Sequence, residues 1–432
     1  MRFSTQSGAS RGLTRRRFLK TSAAAALLPS VMRIGPAYAA GTIRIGHVAP
    51  QTGPLAAFGE PVPFVLKHIA EALKDGLTIN GKTYAIEILN RDTQSNPNRA
   101  SEVAADLILR DEVKLILAAS TFETVNPVAD QAEVNGVPCI TADCPWQSYV
   151  FGRNGDPKKG FKWTYHFFWG LEDATSTYVG LWKSAQTNQV VGGLFPNDAD
   201  GNAWGDPNQP GALSQTCKRN GFTLIDPGRF TPGIQDYSAQ ISAFQKAGAE
   251  IVSGVLAPPD FGVFWQQAAQ QKFRPKIVTI AKALLFPSVI SAIGDRADGL
   301  STEIWWSPNH PFKSGLTGQS ARELNAQYEA ETGRPWTQPM GFKHALFEVA
   351  VDVLKRSKNV DDPASILAAI EATDYASVVG RLRWNNPDLK NICKTPVVAG
   401  QWNKTATGFD LRVCDNSTAP EIPVQDKLRL LS

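Results

Sequence analysis

From Thr42 onward, short apolar runs alternate with stretches whose apolar residues recur at helical spacing. Residues 42–50 (TIRIGHVAP) read as a strand closed by Pro50, and 51–60 (QTGPLAAFGE) as a Gly- and Pro-punctuated loop. Val62, Val65, Leu66, Ile69 and Leu73 then mark one face of a helix. YAIEILNRD is a second strand, and NPNRASEVAADLILRD opens with Asn and Pro, which favour a helix start. VKLILAAS, TVNPVADQAEVNG and VPCITAD continue as strand, helix and strand. A break rich in Gly, Lys and Pro follows at 152–162, after which the alternation restarts. QVVGGLF, EIVSGVL and KIVTIA are its strands. Helices are expected within GDPNQPGALSQTCKRNG, along the stripe Ile234, Tyr237, Ile241 and Phe244, and over DFGVFWQQAAQQ. Beyond GLSTEIWWS, helices are predicted near 320–331, 341–356 and 363–372, and GRLRWNNPDLKNICKTPVVAGQW looks like hairpin structure.

Strands alternating with helices predict parallel α/β sheets with right-handed crossovers, here in two lobes in series. Ligands in open α/β sheets bind beyond the carboxyl ends of the strands. That rule gathers APQTGPLAAFG, AASTFE, ADCPW, FPNDADGNAW, LAPPDF and AKALL around one crevice, provided the lobes face each other.

The N-terminus changes the charge picture. The chain has 432 residues and a formal charge of +4, but residues 1–39 hold seven basic side chains and no acid. Without them the remainder carries −3, which offers no electrostatic case for nucleic-acid binding. The segment has the layout of a cleaved export leader. Thr14-Arg15-Arg16-Arg17-Phe18-Leu19-Lys20 matches the twin-arginine export signal, a short apolar run follows, and Ala37-Tyr38-Ala39 is a small-x-small cleavage site. The apolar run is too short to span a bilayer, and no later run approaches that length. A periplasmic location is therefore expected.

Several chemistries find no support in the residues. Gly8-Ala9-Ser10-Arg11-Gly12 fits a hydrolase elbow but lacks a preceding strand and lies in the leader. The five cysteines form no C-x-x-C, and the histidines are scattered at 47, 68, 166, 310 and 344, so no metal-ligand spacing exists. The acids Asp361 and Asp362 precede Pro363 and read as a helix start. No cofactor, metal or catalytic residue is expected. Cys393 and Cys414, flanking the expected terminal hairpin, are the best candidates for a disulfide in an oxidising compartment.

The motifs IRIGHVAPQTGPLAAFGE, NRDTQSNPNRASEVAADLI, STFETVNPVADQAEVNGVPCIT, DADGNAWGD, GIQDYSAQISAFQKAGAEIV and VVGRLRWNNPDLKN, in this order and spacing, span about residues 41–411. Together they resemble the periplasmic solute-binding proteins of ABC transporters, of the leucine/isoleucine/valine-binding type. The resemblance implies a two-lobed type I periplasmic binding fold, each lobe a parallel sheet flanked by helices, with three hinge crossovers. The hinges are expected near Phe167, Thr302 and Gly380. The expected division is 1–39 as leader, 41–167 plus 303–378 as the first lobe, and 168–302 plus 379–432 as the second. The resemblance further implies a monomer that takes up a small solute and delivers it to permease subunits in the inner membrane, after export by the twin-arginine translocase.

Carried over residue by residue, the resemblance places Ser120, Thr121 and Phe122 at the loop that receives the solute's carboxylate. Hydroxyls and free N–H groups at a helix N-terminus suit an anion, and the same residues can equally cap the helix. Phe58 matches a pocket-lining aromatic, Asp143 and Cys144 a second loop of the first lobe, and Trp204 an aromatic of the second lobe that closes over the solute. Lys282 stands where the amino-acid binders place an acid for the α-ammonium. Two like charges at about 4 Å cost on the order of 4 kcal/mol, roughly a thousandfold in affinity. Three dispositions stay open: Asp143 receives an ammonium instead, Lys282 binds an anionic or hydroxylated solute, or Lys282 pairs with Asp143. Phe58, Phe122, Trp146 and Trp204 would suit a flat ring, so a small carboxylate, including an aromatic acid, is the expected solute. A sensor that presents its ligand to a signalling partner is the rival reading of the same fold.

Overall fold

The computed structural model describes residues 30–36 and 40–431. The twin-arginine stretch and the Ala37-Tyr38-Ala39 site lie outside these. The strands are β1 (Ser30–Ile34), β2 (Thr42–Ala49), β3 (Leu77–Ile79), β4 (Lys82–Asp92), β5 (Leu115–Ala119), β6 (Cys139–Ala142), β7 (Thr164–Phe167), β8 (Val190–Leu194), β9 (Thr223–Ile225), β10 (Ile251–Val255), β11 (Ile277–Ala281), β12 (Ser301–Ile304), β13 (Asp374–Ser377), β14 (Gly380–Arg383), β15 (Ile392–Cys393), β16 (Val398–Thr405) and β17 (Gly408–Asp415). The helices are α1 (Val62–Ala72), α2 (Pro97–Leu109), α3 (Phe122–Asn135), α4 (Trp146–Gly152), α5 (Leu171–Lys183), α6 (Ala199–Gly205), α7 (Leu213–Arg219), α8 (Ser238–Ala247), α9 (Pro258–Gln270), α10 (Pro287–Ile293), α11 (Ala321–Thr332), α12 (Pro339–Arg356) and α13 (Pro363–Glu371).

Two sheets organise these elements. The first runs β1-β4-β2-β5-β6-β7-β15, with β3 paired to β4, and is parallel from β4 to β15. The second runs β17-β16-β12-β11-β10-β8-β9, parallel from β12 to β9. Central strands β5, β10 and β11 are buried at every position, because helices cover both faces of a parallel sheet. That is why they read as unbroken apolar runs. The helix ends follow local chemistry. The Asn96 side chain accepts from the N–H groups of Asn98 and Arg99 to start α2, and α3 stops at Gly136, where φ is +68°. Helix α12 is buried almost all round and runs through the core, carrying Lys343, His344 and Glu348 inward with its apolar residues.

Three expectations are revised. The chain passes between the sheets after β7, after β12 and between β15 and β16, so the third crossing lies past Cys393 and not near Gly380. β15 pairs with β7 in the first sheet, and β13 and β14 form their own hairpin. The expected terminal hairpin is thus split among three sheets, because the two-residue β15 takes its place from a strand more than 200 positions earlier. Cys393 and Cys414 belong to different sheets, and both are free thiols, so the disulfide expectation fails. Finally, Ser30–Ile34, within the expected leader, forms the antiparallel edge strand β1 against β4.

Candidate functional site

The carboxyl ends of both sheets converge on one narrow cleft, whose space together with its open mouth is about 370 Å³. The first sheet contributes Phe58 from the loop after β2, Thr121 after β5, Asp143 and Pro145 after β6, and Phe168 and Trp169 after β7. The second contributes Asp200 and Trp204 from α6, Val255, Ala281, Lys282 and Leu285 around β10 and β11, and Glu303 and Trp305 at the end of β12. Five aromatic side chains therefore wall a small space that also holds four ionisable groups.

The loops that carry these groups are bent against their residue types. Ser120, Thr121, Asp143 and Lys282 have φ of +82°, +69°, +63° and +68°. Such angles are uncommon for non-glycine residues and costly for a β-branched threonine. Strain of this kind persists where surrounding contacts over-determine it, and it clusters at binding sites. Here the contacts are visible: Ser120 N–H donates to the Ala142 carbonyl (3.3 Å) and Thr121 N–H to the Asp143 carbonyl (2.9 Å), lacing the β5 and β6 loops together.

Two lysines organise the charge. Lys343, wholly buried on α12, donates to Ser120 Oγ (2.5 Å) and lies 3.4 Å from Asp143 Oδ2. Burial pushes the Asp143 carboxyl up and the Lys343 ammonium down, and their mutual attraction offsets part of both shifts. Lys282 donates to Glu123 Oε1 (2.9 Å) and Asp200 Oδ2 (3.1 Å), with Phe122's ring centroid 5.2 Å away. Burial disfavours its charge, but Glu123, Asp200 and Asp198 outweigh that and hold the ammonium above its ordinary range. Burial and the neighbouring Asp200 push Asp198 up to about 6. Burial lifts Glu303 to about 7, against the hydrogen bonds it accepts from Tyr178, Thr302 and the Lys282 N–H.

Of the expected residues, Phe58, Thr121, Asp143, Trp204 and Lys282 line the cleft. Ser120 lies behind it, bonded to Asp143 and Lys343. Phe122 lines an adjoining cavity, together with Glu123, Asp198 and Asp260, that shares Asp200 and Lys282 with the cleft. Cys144 is packed in the core formed by α2, α3 and α4, and its thiol is pushed well above the ordinary range by burial. The pairing of Lys282 with Asp143 does not occur; each has other partners. Trp146 donates to Glu172 (3.2 Å) and is absent from the cleft wall. Sequence reasoning missed Trp169, Asp200, Glu303, Trp305, Glu123 and Lys343. Trp169, Glu303 and Trp305 sit at or just beyond strand ends and Asp200 in the helix that follows β8, whereas nothing local marks Lys343, in mid-helix.

The chain belongs to the periplasmic binding protein family, whose model matches residues 42–407. It is similar to the Leu/Ile/Val-binding protein homolog 3 of Brucella melitensis, at 22% identity, over 85% of this chain and 93% of that one. The fold is that of the leucine binding protein of Thermotoga maritima, with a TM-score of 0.69 and 18% identity over 87% of this chain and 99% of that one. A solute binding protein of an ABC transporter from Rhodopseudomonas palustris BisB5, solved with 3,4-dihydroxy benzoic acid, superposes equally well (TM-score 0.69, 18% identity, 88% and 99% covered). No helix among the described residues is long and apolar enough to cross a membrane.

Proposed function

We propose that this chain is the extracytoplasmic receptor of an ABC importer. It encloses a small organic solute between its two lobes and hands it to permease subunits of the inner membrane. The observation that carries this reading is the aromatic cleft at the converging strand ends, lined by three residues held at positive φ, Thr121, Asp143 and Lys282. Phe58 and Trp204, from opposite lobes, grip the solute's apolar body. The lobes close by bending at the three crossings, and a solute that contacts both lobes favours the closed form by its differential affinity. Contacts that already join the lobes include the Lys282–Glu123 ion pair and the edge-to-face packing of Phe58 on Phe286, centroids 4.7 Å apart. The twin-arginine leader delivers the chain to the periplasm, and the receptor acts as a monomer without catalysing a reaction on its solute.

A thermal-shift panel of amino acids, aromatic acids, amines, a dicarboxylate and urea tests the reading. A true solute at about 1,000 times its dissociation constant adds about 4 kcal/mol of stability. A broad panel that leaves the melting temperature unmoved, while Trp204→Ala behaves as the parent, sinks the receptor assignment.

A further inference from the structure

Resting on that receptor reading, we infer that the solute is an organic cation: a primary ammonium on an aromatic body, with no carboxylate. The cleft and its bounding charges hold Asp143, Asp198, Asp200 and Glu123 against Lys282 and Lys343, so acids outnumber bases even before Glu303 is considered. Both lysines already face acids, Lys343 facing Asp143 and Lys282 facing Glu123 and Asp200. Neither ammonium is free to pair with a carboxylate brought in by a solute, and the Thr121 N–H is already given to the Asp143 carbonyl. A benzoate-type anion, as bound by the Rhodopseudomonas palustris protein, would enter a site of its own sign.

Among the described residues, the atoms left without a hydrogen-bond partner point the same way. Asp143 and Asp200 are each 4% exposed and line the cleft. The Ser148 hydroxyl lies beside Asp200 and favours its ionised form, so of the two it is Asp143 whose Oδ1 is wholly without a donor. A buried carboxylate oxygen without a donor is costly, and an ammonium supplies three donors at once. One carboxylate belongs to each lobe, so a single head between them would reward closure. Around them stand Phe58, Phe168, Trp169, Trp204 and Trp305. Aromatic faces attract cations, and a desolvated aromatic cage is a known way of holding an organic ammonium. On the cleft wall the remaining unpartnered groups are the indole N–H of Trp169, that of Trp305, and the Thr121 hydroxyl. They suit a neutral acceptor such as a phenolic oxygen at the solute's other end. Asp200 is thereby a specificity-determining residue, contributed by α6 and not by the end of β11, where Lys282 stands.

Tyramine, tyrosine and 4-hydroxybenzoate share a phenol and differ in head charge, and calorimetric titration of the protein with each tests the inference. Tyramine is expected to bind at least tenfold more tightly than tyrosine, and 4-hydroxybenzoate to give no binding. Asp200→Asn should weaken tyramine at least tenfold. Tyrosine binding as well as tyramine, 4-hydroxybenzoate binding at all, or unaltered tyramine affinity in Asp200→Asn would overturn the assignment. The wild-type order of affinities decides even if Asp200→Asn folds poorly. Silence from all three compounds also overturns it; the receptor reading survives that outcome if any solute of the wider panel stabilises the protein.

Discussion

Thr121 holds a β-branched side chain at φ +69° and ψ 155°, where glycine is at ease and threonine is not. Strain of this kind costs about 1–3 kcal/mol, of which glycine's greater freedom in the unfolded chain returns about 0.5–1. Thr121→Gly should therefore raise stability in a urea titration by about 1 kcal/mol while weakening solute binding, since the hydroxyl at the cleft wall is lost. Glu303 tells a second story at this scale. Its carboxyl, ordinarily near 4.5, is raised by burial to about 7 in the folded protein. The folded state therefore keeps a proton that the unfolded state has released. The stability this contributes is complete below about pH 4.5 and is lost as pH rises through about 7. Glu303→Gln abolishes that loss. Its stability relative to the parent should improve by about 3 kcal/mol between pH 4.5 and pH 8 in denaturant melts. The free cysteines give a simpler check: thiol titration of the unreduced, denatured chain should count five, and a count of three would restore a disulfide.

At the scale of elements, periodicity exposed β2, β4, β5, β6, β8, β10 and β11 and most of the longer helices, because each buries one face or both. It failed on α4, α5, α6 and α10. Helix α5 mixes threonines, a glycine and both charge signs while burying eight of its thirteen residues against neighbours on several sides, so no single stripe appears. Helices α4 and α6 have seven residues each, too few to repeat a pattern. Helix α12 shows how an element conditions the site. A methyl group added at Gly341 would lie 2.3 Å from the Trp306 ring, and Trp306 adjoins the cleft residue Trp305. Gly341→Ala should cost about 1–3 kcal/mol through overpacking. It should also alter tryptophan fluorescence, the sign that the displaced ring reaches the cleft; an unchanged melt and spectrum would show that the indole yields freely.

Across the whole molecule, the Lys282–Glu123 pair links a strand end of the second lobe to the first turn of α3 in the first. Removing Glu123's charge takes away a cross-lobe attraction and leaves Lys282 paired with Asp200 inside its own lobe. Glu123→Gln should therefore populate the open form without solute, seen as a larger radius of gyration in X-ray scattering, and saturating solute should restore the parent value. Equal radii without solute would show that the remaining contacts, Phe58 on Phe286 and the Gln147–Glu172 hydrogen bond among them, hold the lobes.

The order of apolar runs and helical stripes determined by itself that this is a two-lobed α/β chain, and the strand-end rule gathered the loops that carry Phe58, Thr121, Asp143, Trp204 and Lys282, the choice of those residues within the loops coming from the family resemblance. These are local properties: burial repeats every two or every 3.6 residues, and the ends of parallel strands share one edge. Which acid answers which lysine was decided only by tertiary structure. Asp143 meets Lys343 across 200 positions, and Lys282 meets Glu123 across 159. No periodicity within a strand or helix carries a distance between groups so far apart. Their pairing is set where the sheets and α12 bring three loops together, and with it the sign of the charge that the cleft presents to a solute.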